Sequence, residues 1–318
     1  MHEIFDDHLD LLRGQDKAKG TIKQYQGGLK AYSEWLEEQG IEPEGASTRD
    51  IQRYLSFLKN EREYAPGTVR GYYSCISGFY KNLDNTGVIE EDPTEGITLS
   101  NYASRETRKQ QETKERRVWL SQEEMSQLVE NVPAPTVRNR LLVLFQYFTG
   151  LRRQEVVDVK LEDIDRKERM VKVQGKGNVL NTAFWQPKMD GLLTAWLDGG
   201  YRGSSPHAEE SPYLFLSQAA PQLSGEYVNR IVKEAAEEAG IQEVLFEDAR
   251  GRSHYKYTSH ALRHSFAMHW LQNGGSLATL SKQMAHSSIT TTEIYGEILD
   301  ERAKEEYDQY APDIDLSF

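Results

Sequence analysis

The chain of 318 residues has a single cysteine, Cys75. No intrachain disulfide is possible, so a disulfide-framed secreted fold is excluded. No apolar run approaches the roughly 20 residues of a membrane-spanning helix. The N-terminus has no signal-peptide pattern of basic, apolar and small-residue segments. The expected location is the cytoplasm, with no membrane partner. Internal repeats and low-complexity tracts are also lacking, which excludes solenoids and fibrous arrays. Finally, there is no excess of positive charge: 38 Lys/Arg stand against 50 Asp/Glu, a net charge of −12. Chains that bind nucleic acid usually show a basic footprint, so the distribution of charge matters more than its sum.

The distribution is uneven. Residues 1–97 hold 11 basic and 18 acidic side chains, net −7; residues 118–318 hold 21 and 29, net −8. Residues 98–117 hold six basic (Arg105, Arg108, Lys109, Lys114, Arg116, Arg117) and three acidic, net +3. Two explanations stay open: an acidic solvent face with a local basic face, or a host with high internal salt. The length fits about two domains, each able to bury a core. The expected division is 1–97, a basic linker at 98–117, and 118–318.

Helical spacing dominates the first segment. Ile4, Phe5, Leu9 and Leu12 mark a short helix over 3–13. Thr21 is placed to cap a second, with Ile22, Tyr25, Leu29, Tyr32, Trp35 and Leu36 apolar and Gly40 as its stop. Ser47 and Thr48 open a third, and Pro66-Gly67-Thr68 a fourth that carries Val69 to Leu83. Gly87 and Asp92-Pro93 end the bundle. Cys75 lies among Tyr72, Tyr73, Ile76 and Phe79, the setting of a small buried residue.

The second segment mixes periods. Ser121 with Glu124 reads as a capping box, and Leu141–Phe148 as a buried helix. Gly150 supplies a tight turn before Arg152, Arg153 and Glu155. Arg153 reads as a surface charge or backbone contact; Glu155 either braces Arg152 or caps the next helix. Leu161–Ile164, Met170–Gln174 and Val179–Phe184 have strand lengths and predict a small antiparallel sheet. Between the last two, Gln174-Gly175-Lys176-Gly177-Asn178 reads as a hairpin turn and does not match a nucleotide-binding loop. Helices are expected at Met189–Leu197 and Glu226–Ala239, with a loop at Tyr201–Ser211. Residues 241–258, with Arg250, Arg252, His254 and Lys256, are either a strand pair or a nucleic-acid-facing loop. Helices over 260–273 and 277–285 follow, then a charged helix near Asp300–Tyr310 and the tail Ala311–Phe318.

His260 and Arg263 stand one helical turn apart and share a face. His286 follows Arg263 by 23 residues, and Tyr295 follows His286 by nine. An arginine with two histidines can hold a phosphodiester, and a tyrosine hydroxyl can attack it. These intervals resemble the C-terminal signature of the tyrosine recombinases, the phage-integrase-type site-specific recombinases. Thr149-Gly150-Leu151-Arg152 resembles that family's first arginine motif, and Lys176 on its hairpin matches the family's lysine. Pro66-Gly67-Thr68-Val69-Arg70 matches the start of a helix in its core-binding domain. Ala285 departs from the pattern, standing where the family usually has glycine.

The resemblance implies a mainly α fold: an N-terminal helical, SAM-like core-binding bundle and an α+β catalytic domain with a small antiparallel sheet. It implies site-specific cleavage and rejoining of double-stranded DNA through a 3′-phosphotyrosyl intermediate, by a homo-tetramer on two sites. Arg152, Arg263 and His286 would hold the phosphate oxygens, His260 would take the proton of Tyr295, and Lys176 would protonate the leaving oxygen. Arg70, Arg108, Lys109, Arg116 and Arg117 are the expected DNA contacts, and the C-terminal tail would dock on the next protomer. No cofactor and no metal is expected: His260 and His264 stand at i, i+4, but Arg263 between them would repel a cation and no third ligand is evident. His264 reads as structural, His269 and Trp270 as packing residues, Phe266, Met268 and Leu271 as core. The alternatives are a type IB topoisomerase-like enzyme, a catalytically silent DNA-binding protein and, with least support, a metal-dependent hydrolase.

Overall fold

The computed structural model describes residues 2–15, 17, 19–103, 118–174, 180–247 and 251–284. They fall into two compact units. The basic linker residues Arg105, Arg108, Lys109, Lys114, Arg116 and Arg117 lie outside the described residues, as do Lys176, Arg250 and all of 285–318.

The described residues of the first unit form four α-helices: α1 (Glu3–Gly14), α2 (Lys19–Gln39), α3 (Thr48–Asn60) and α4 (Pro66–Asn85). Ser47 caps α3 through a reciprocal box with Asp50, an arrangement worth about 1 kcal/mol over an uncapped end. Pro66 opens α4, where its missing N–H has no partner to lose. Thr21 does not cap α2, which starts two residues earlier. The first helical N–H groups have no intrahelical acceptor anyway, so a helix start slides by a residue or two at little cost. Gly40 and Gly87 end their helices with positive φ, as expected of a glycine stop.

The core of this unit is built from Phe5, Leu29, Tyr32, Ile51, Tyr54, Ile76, Phe79 and Tyr80. Two of its tyrosines bond through their hydroxyls: Tyr32 and Tyr80 share a hydrogen bond of 2.9 Å, and the Tyr80 hydroxyl donates to the Pro43 carbonyl at 2.9 Å, whereas the Tyr54 hydroxyl is buried without a hydrogen-bond partner. Cys75 is buried, and burial pushes its thiol up to about 11. A thiol so disposed is inert at neutral pH. Among the described residues, no helix is long and apolar enough to cross a membrane.

The second unit begins with α5 (Gln122–Glu130), capped by the Ser121–Glu124 box. Next come α6 (Thr136–Thr149) and the six-residue α7 (Arg153–Asp158). Helix α6 starts five residues before the expected Leu141. Arg138 and Asn139 do not end it because both are buried and bonded: Arg138 reaches Asn139 Oδ1, the Leu216 carbonyl and the Tyr227 hydroxyl. An antiparallel sheet follows in the order β1 (Ile164–Asp165), β2 (Met170–Gln174), β3 (Leu180–Phe184), with Met170 opposite Phe184 and Gln174 opposite Leu180. The strand expected from Leu161 is a 3-10 turn over Leu161–Asp163, and only Ile164 and Asp165 pair. Asp163 accepts from the Lys160 N–H and closes that turn.

Helices α8 (Asp190–Asp198) and α9 (Gly225–Glu238) precede a two-stranded ribbon, β4 (Val244–Glu247) with β5 (Ser253–Tyr255). Of the two readings of 241–258, the strand pair is the one found. Helices α10 (Ser259–Gln272) and α11 (Leu277–Gln283) complete the described unit. Helix α10 buries residues on nearly every side, among them Ala261, Leu262, Arg263, Ser265, Ala267, His269 and Leu271. It is the central element of the unit, and it bears both His260 and Arg263.

Candidate active site

Two turns of backbone bring the arginines together. Helix α6 ends at Gly150 with φ +65°, a left-handed residue that donates its N–H to the Gln146 carbonyl. A Cβ there would lie 2.6 Å from the Phe266 ring and 3.2 Å from Met284, so the position needs glycine for space as well as for φ. The chain then reverses into α7, whose N-cap is Arg152.

Glu155 braces Arg152 and caps α7 at once. One carboxylate oxygen accepts the Arg152 backbone N–H at 2.8 Å, and the other accepts its guanidinium at 2.7 Å. The first of these oxygens also stands 3.9 Å from the Arg263 guanidinium. One carboxylate thus serves arginines 111 positions apart in the chain. The two differ in exposure: the Arg152 side chain is 41% exposed, while that of Arg263 is 4%. Arg263 donates to the Gly150 carbonyl at 2.6 Å and to the Met284 carbonyl at 2.7 Å. It ties the first-arginine turn to the end of α11. A guanidinium has five N–H donors, and these bonds engage two of its nitrogens.

His260 lies on the exposed side of the first turn of α10, one turn before Arg263. Its ring meets His264 edge-on at 4.4 Å. The start of α10 is fixed from outside the helix. Asn229 of α9 accepts the Ser259 N–H at 3.0 Å, and Gln242 holds both the N–H and the carbonyl of Tyr257. Further along, Ser265 accepts the Leu120 N–H at 2.8 Å, and the Tyr147 hydroxyl meets His269 Nδ1 at 2.6 Å. Burial holds His269 below the usual imidazole range, in keeping with a neutral packing residue. Phe266, Met268 and Trp270 pack on the small cluster of Ala267, Leu271, Leu280 and Met284.

Of the expected catalytic set, the structure brings together Arg152, Arg263 and, at one turn's distance, His260. Lys176, His286 and Tyr295 lie outside the described residues. The elements that lead to them are described: β2 and β3 flank Lys176 in sequence, and α11 ends three residues before His286. In the other unit, half-buried Arg70 donates to the Ala103 carbonyl at 2.9 Å. Sequence reasoning passed over Gln283. It is 7% exposed, its side-chain amide bonds the backbone at Thr149 and Phe184, and its own carbonyl accepts from Asn181 Nδ2; no local pattern distinguishes it from any other helical glutamine.

An N-terminal helical unit, and a second unit whose central helix bears a His-x-x-Arg beside a second arginine, describe an integrase-type chain. The family model described as "Phage integrase family" matches residues 118–302, and that of the "Phage integrase, N-terminal SAM-like domain" matches 4–89. The chain belongs to the phage integrase family, the tyrosine recombinases. Tyrosine recombinase XerA of Pyrococcus furiosus is 30% identical over 309 residues, which span 95% of this chain and 92% of that protein. Tyrosine recombinase XerC of Lactobacillus delbrueckii subsp. bulgaricus is 28% identical over 297 residues, 92% of each chain. The crystal structure of XerH site-specific recombinase bound to palindromic difH substrate, a post-cleavage complex, has a similar fold. The TM-score is 0.67 at 21% identity, over 92% of this chain and 80% of that one.

Proposed function

We propose that this enzyme is a site-specific recombinase that cuts and rejoins double-stranded DNA through a 3′-phosphotyrosyl intermediate, with no metal or cofactor. The Tyr295 oxygen attacks the phosphorus and the bond to the 5′-oxygen breaks. His260 takes the tyrosine proton, because a hydroxyl with a reference pKa near ~10 is mostly neutral at pH 7. Lys176 gives a proton to the leaving 5′-oxygen. Arg152, Arg263 and His286 hold the non-bridging oxygens, where negative charge builds. Removing one such donor costs about 3–4 kcal/mol of transition-state stabilisation. The phosphotyrosyl bond keeps the energy of the phosphodiester, so a 5′-hydroxyl from another strand reverses the step without ATP.

Exchange between two duplexes cuts four strands, and each chain has one nucleophile in this reading, so four copies act together on two sites. The linker residues Arg108, Lys109, Arg116 and Arg117, with Arg70, contact the phosphate backbone. The domains run over 1–97 and 118–318, and the enzyme works in the cytoplasm on chromosomal or mobile DNA. The observation that carries the reading is the Glu155 bracket, which sets two permanently charged forks side by side next to a histidine-bearing helix face. A topoisomerase-like enzyme acting alone is not favoured, since relatives along nearly the whole chain are named recombinases.

The test uses the full chain and a pool of nicked duplexes with randomised arms, enriched for those it binds. The nick lets the short cleaved strand diffuse away, so a covalent adduct accumulates. The wild-type chain should give a denaturant-resistant adduct at Tyr295, in EDTA as well as without it. Tyr295→Phe should bind the same duplexes and give none. An adduct at another tyrosine, or cleavage that EDTA stops and Mg²⁺ restores, would refute the mechanism.

A further inference from the structure

Strand β3 is the edge of its sheet, so one side of its backbone faces away from β2. At Phe184 that side is met by one side chain. The Gln283 amide donates to the Phe184 carbonyl at 2.9 Å and accepts the Phe184 N–H at 3.2 Å. A carboxamide presents the same donor and acceptor as a peptide unit, so Gln283 acts as a one-residue strand added to the edge. The same amide nitrogen also lies 3.3 Å from the Thr149 carbonyl, at the end of α6 just before Gly150. The Gln283 backbone carbonyl accepts from Asn181, three residues earlier on β3. One residue on, the Met284 carbonyl is the one that Arg263 grips.

We infer that Gln283 is a positioning residue that clips β3, and with it the strand pair that flanks Lys176 in sequence, to the first-arginine turn. The bonds join three stretches distant in sequence: 149, 181–184 and 283–284. The site is 7% exposed at Gln283, so water does not replace a lost amide there without rearrangement, and the unmet carbonyls would carry their own cost. A leucine of similar size leaves both Phe184 groups without this partner and frees the hairpin to shift. A displacement near 1 Å, made far from the chemistry, can cost about a hundredfold in rate.

The inference rests on the reading of Lys176 as the general acid, and the test separates the two. The selected duplex is made twice, with oxygen or with sulfur at the bridging 5′ position. A thiolate leaves without a proton. Gln283→Leu should slow adduct formation by roughly tenfold to a hundredfold on the oxygen duplex, regain most of the loss on the sulfur duplex, and bind DNA within about threefold of wild type. Lys176→Ala is the reference and should show the same recovery. If Lys176→Ala recovers and Gln283→Leu does not, Gln283 does not act through the hairpin. If neither recovers, the general-acid reading fails, and amide hydrogen exchange decides the inference: faster exchange at Phe184, whose N–H Gln283 accepts, in Gln283→Leu supports the clip, and unchanged exchange overturns it. Should Gln283→Leu not fold, Gln283→Met removes the same amide and takes its place in each comparison.

Discussion

Gly150→Ala separates the two reasons for a glycine at the first-arginine turn. The backbone reason is φ +65°, which costs an L-residue with a Cβ roughly 1–2 kcal/mol. The packing reason is the space: the new Cβ would meet Phe266 Cδ1 at 2.6 Å and Cε1 at 2.9 Å. Forcing a ring aside in a packed interior costs about 1–3 kcal/mol. The sum is about 2–5 kcal/mol, and in a unit of this size each kcal/mol moves Tm by about 2–4 °C. Calorimetry on the full chain should therefore show the transition of the second unit lowered by ~4–20 °C, with that of the first unlowered. On a Phe266→Ala background the packing part should vanish and only ~1–2 kcal/mol should remain. Equal costs in the two backgrounds would show that the ring is not the obstacle. A cost under ~1 kcal/mol in the wild-type background would show that the turn does not need its left-handed residue. The variant should also lose cleavage beyond its loss of stability, because the Gly150 carbonyl is an acceptor for Arg263.

Two further predictions concern the first unit and the linker. His8 is 4% exposed, both its ring nitrogens are buried without a hydrogen-bond partner, and burial lowers its pKa. The unfolded chain then takes up the proton first, so the first unit should be stable above pH ~6.5 and lose stability as pH falls from there through the lower folded value. Thermal melts of His8→Phe should lack this part of the pH dependence, and an unaltered profile would refute the assignment. Replacing Arg108, Lys109, Arg116 and Arg117 by glutamine should weaken binding to any duplex and flatten the salt dependence by about 0.9 per lost phosphate contact, up to ~3.6 in all. Full retention of the slope would mean that these residues do not touch the backbone.

Much of the architecture was legible because it follows from local chemistry. Ser47 and Ser121 cap their helices, each in a reciprocal box with an acid three residues on, and Gly40, Gly87 and Gly150 stop theirs with positive φ. Such features are decided within four residues, so the sequence displays them. The ribbon at 244–255 stayed open between two readings for a physical reason. Val244, Leu245 and Phe246 are 54%, 48% and 55% exposed, so burial does not alternate along β4 and the usual period of two has nothing to mark. What holds β4 to β5 includes a cross-strand pair, Phe246 stacked on His254 at 4.3 Å, which no one-strand pattern reveals.

The site divides along the same line. Residue type and interval single out Arg152, His260 and Arg263 as candidates, and the structure sets the two arginines on one carboxylate with His260 one turn away. What ties them to distant parts of the fold was not legible, because such ties are tertiary. Glu155 was legible as a brace for Arg152 or a helix cap; that it also faces Arg263 depends on α10 running past α7. Gln283 carried no signal at all, since a helical glutamine is ordinarily a surface residue. Both supports share one trait: each is a short polar side chain, largely buried, whose bonding groups are met by stretches far apart in the chain. A buried polar group must find partners or cost stability, so such a residue fixes whatever it touches. Arg263 itself meets this description, with its bonds to Gly150 and Met284. The guanidinium proposed to hold phosphate is thus also a structural tie between the first-arginine turn and the chain that runs on to His286 and Tyr295. Removing it would disturb the neighbours it orders as well as remove a charge, so its loss should exceed that of Arg152, the more exposed of the two.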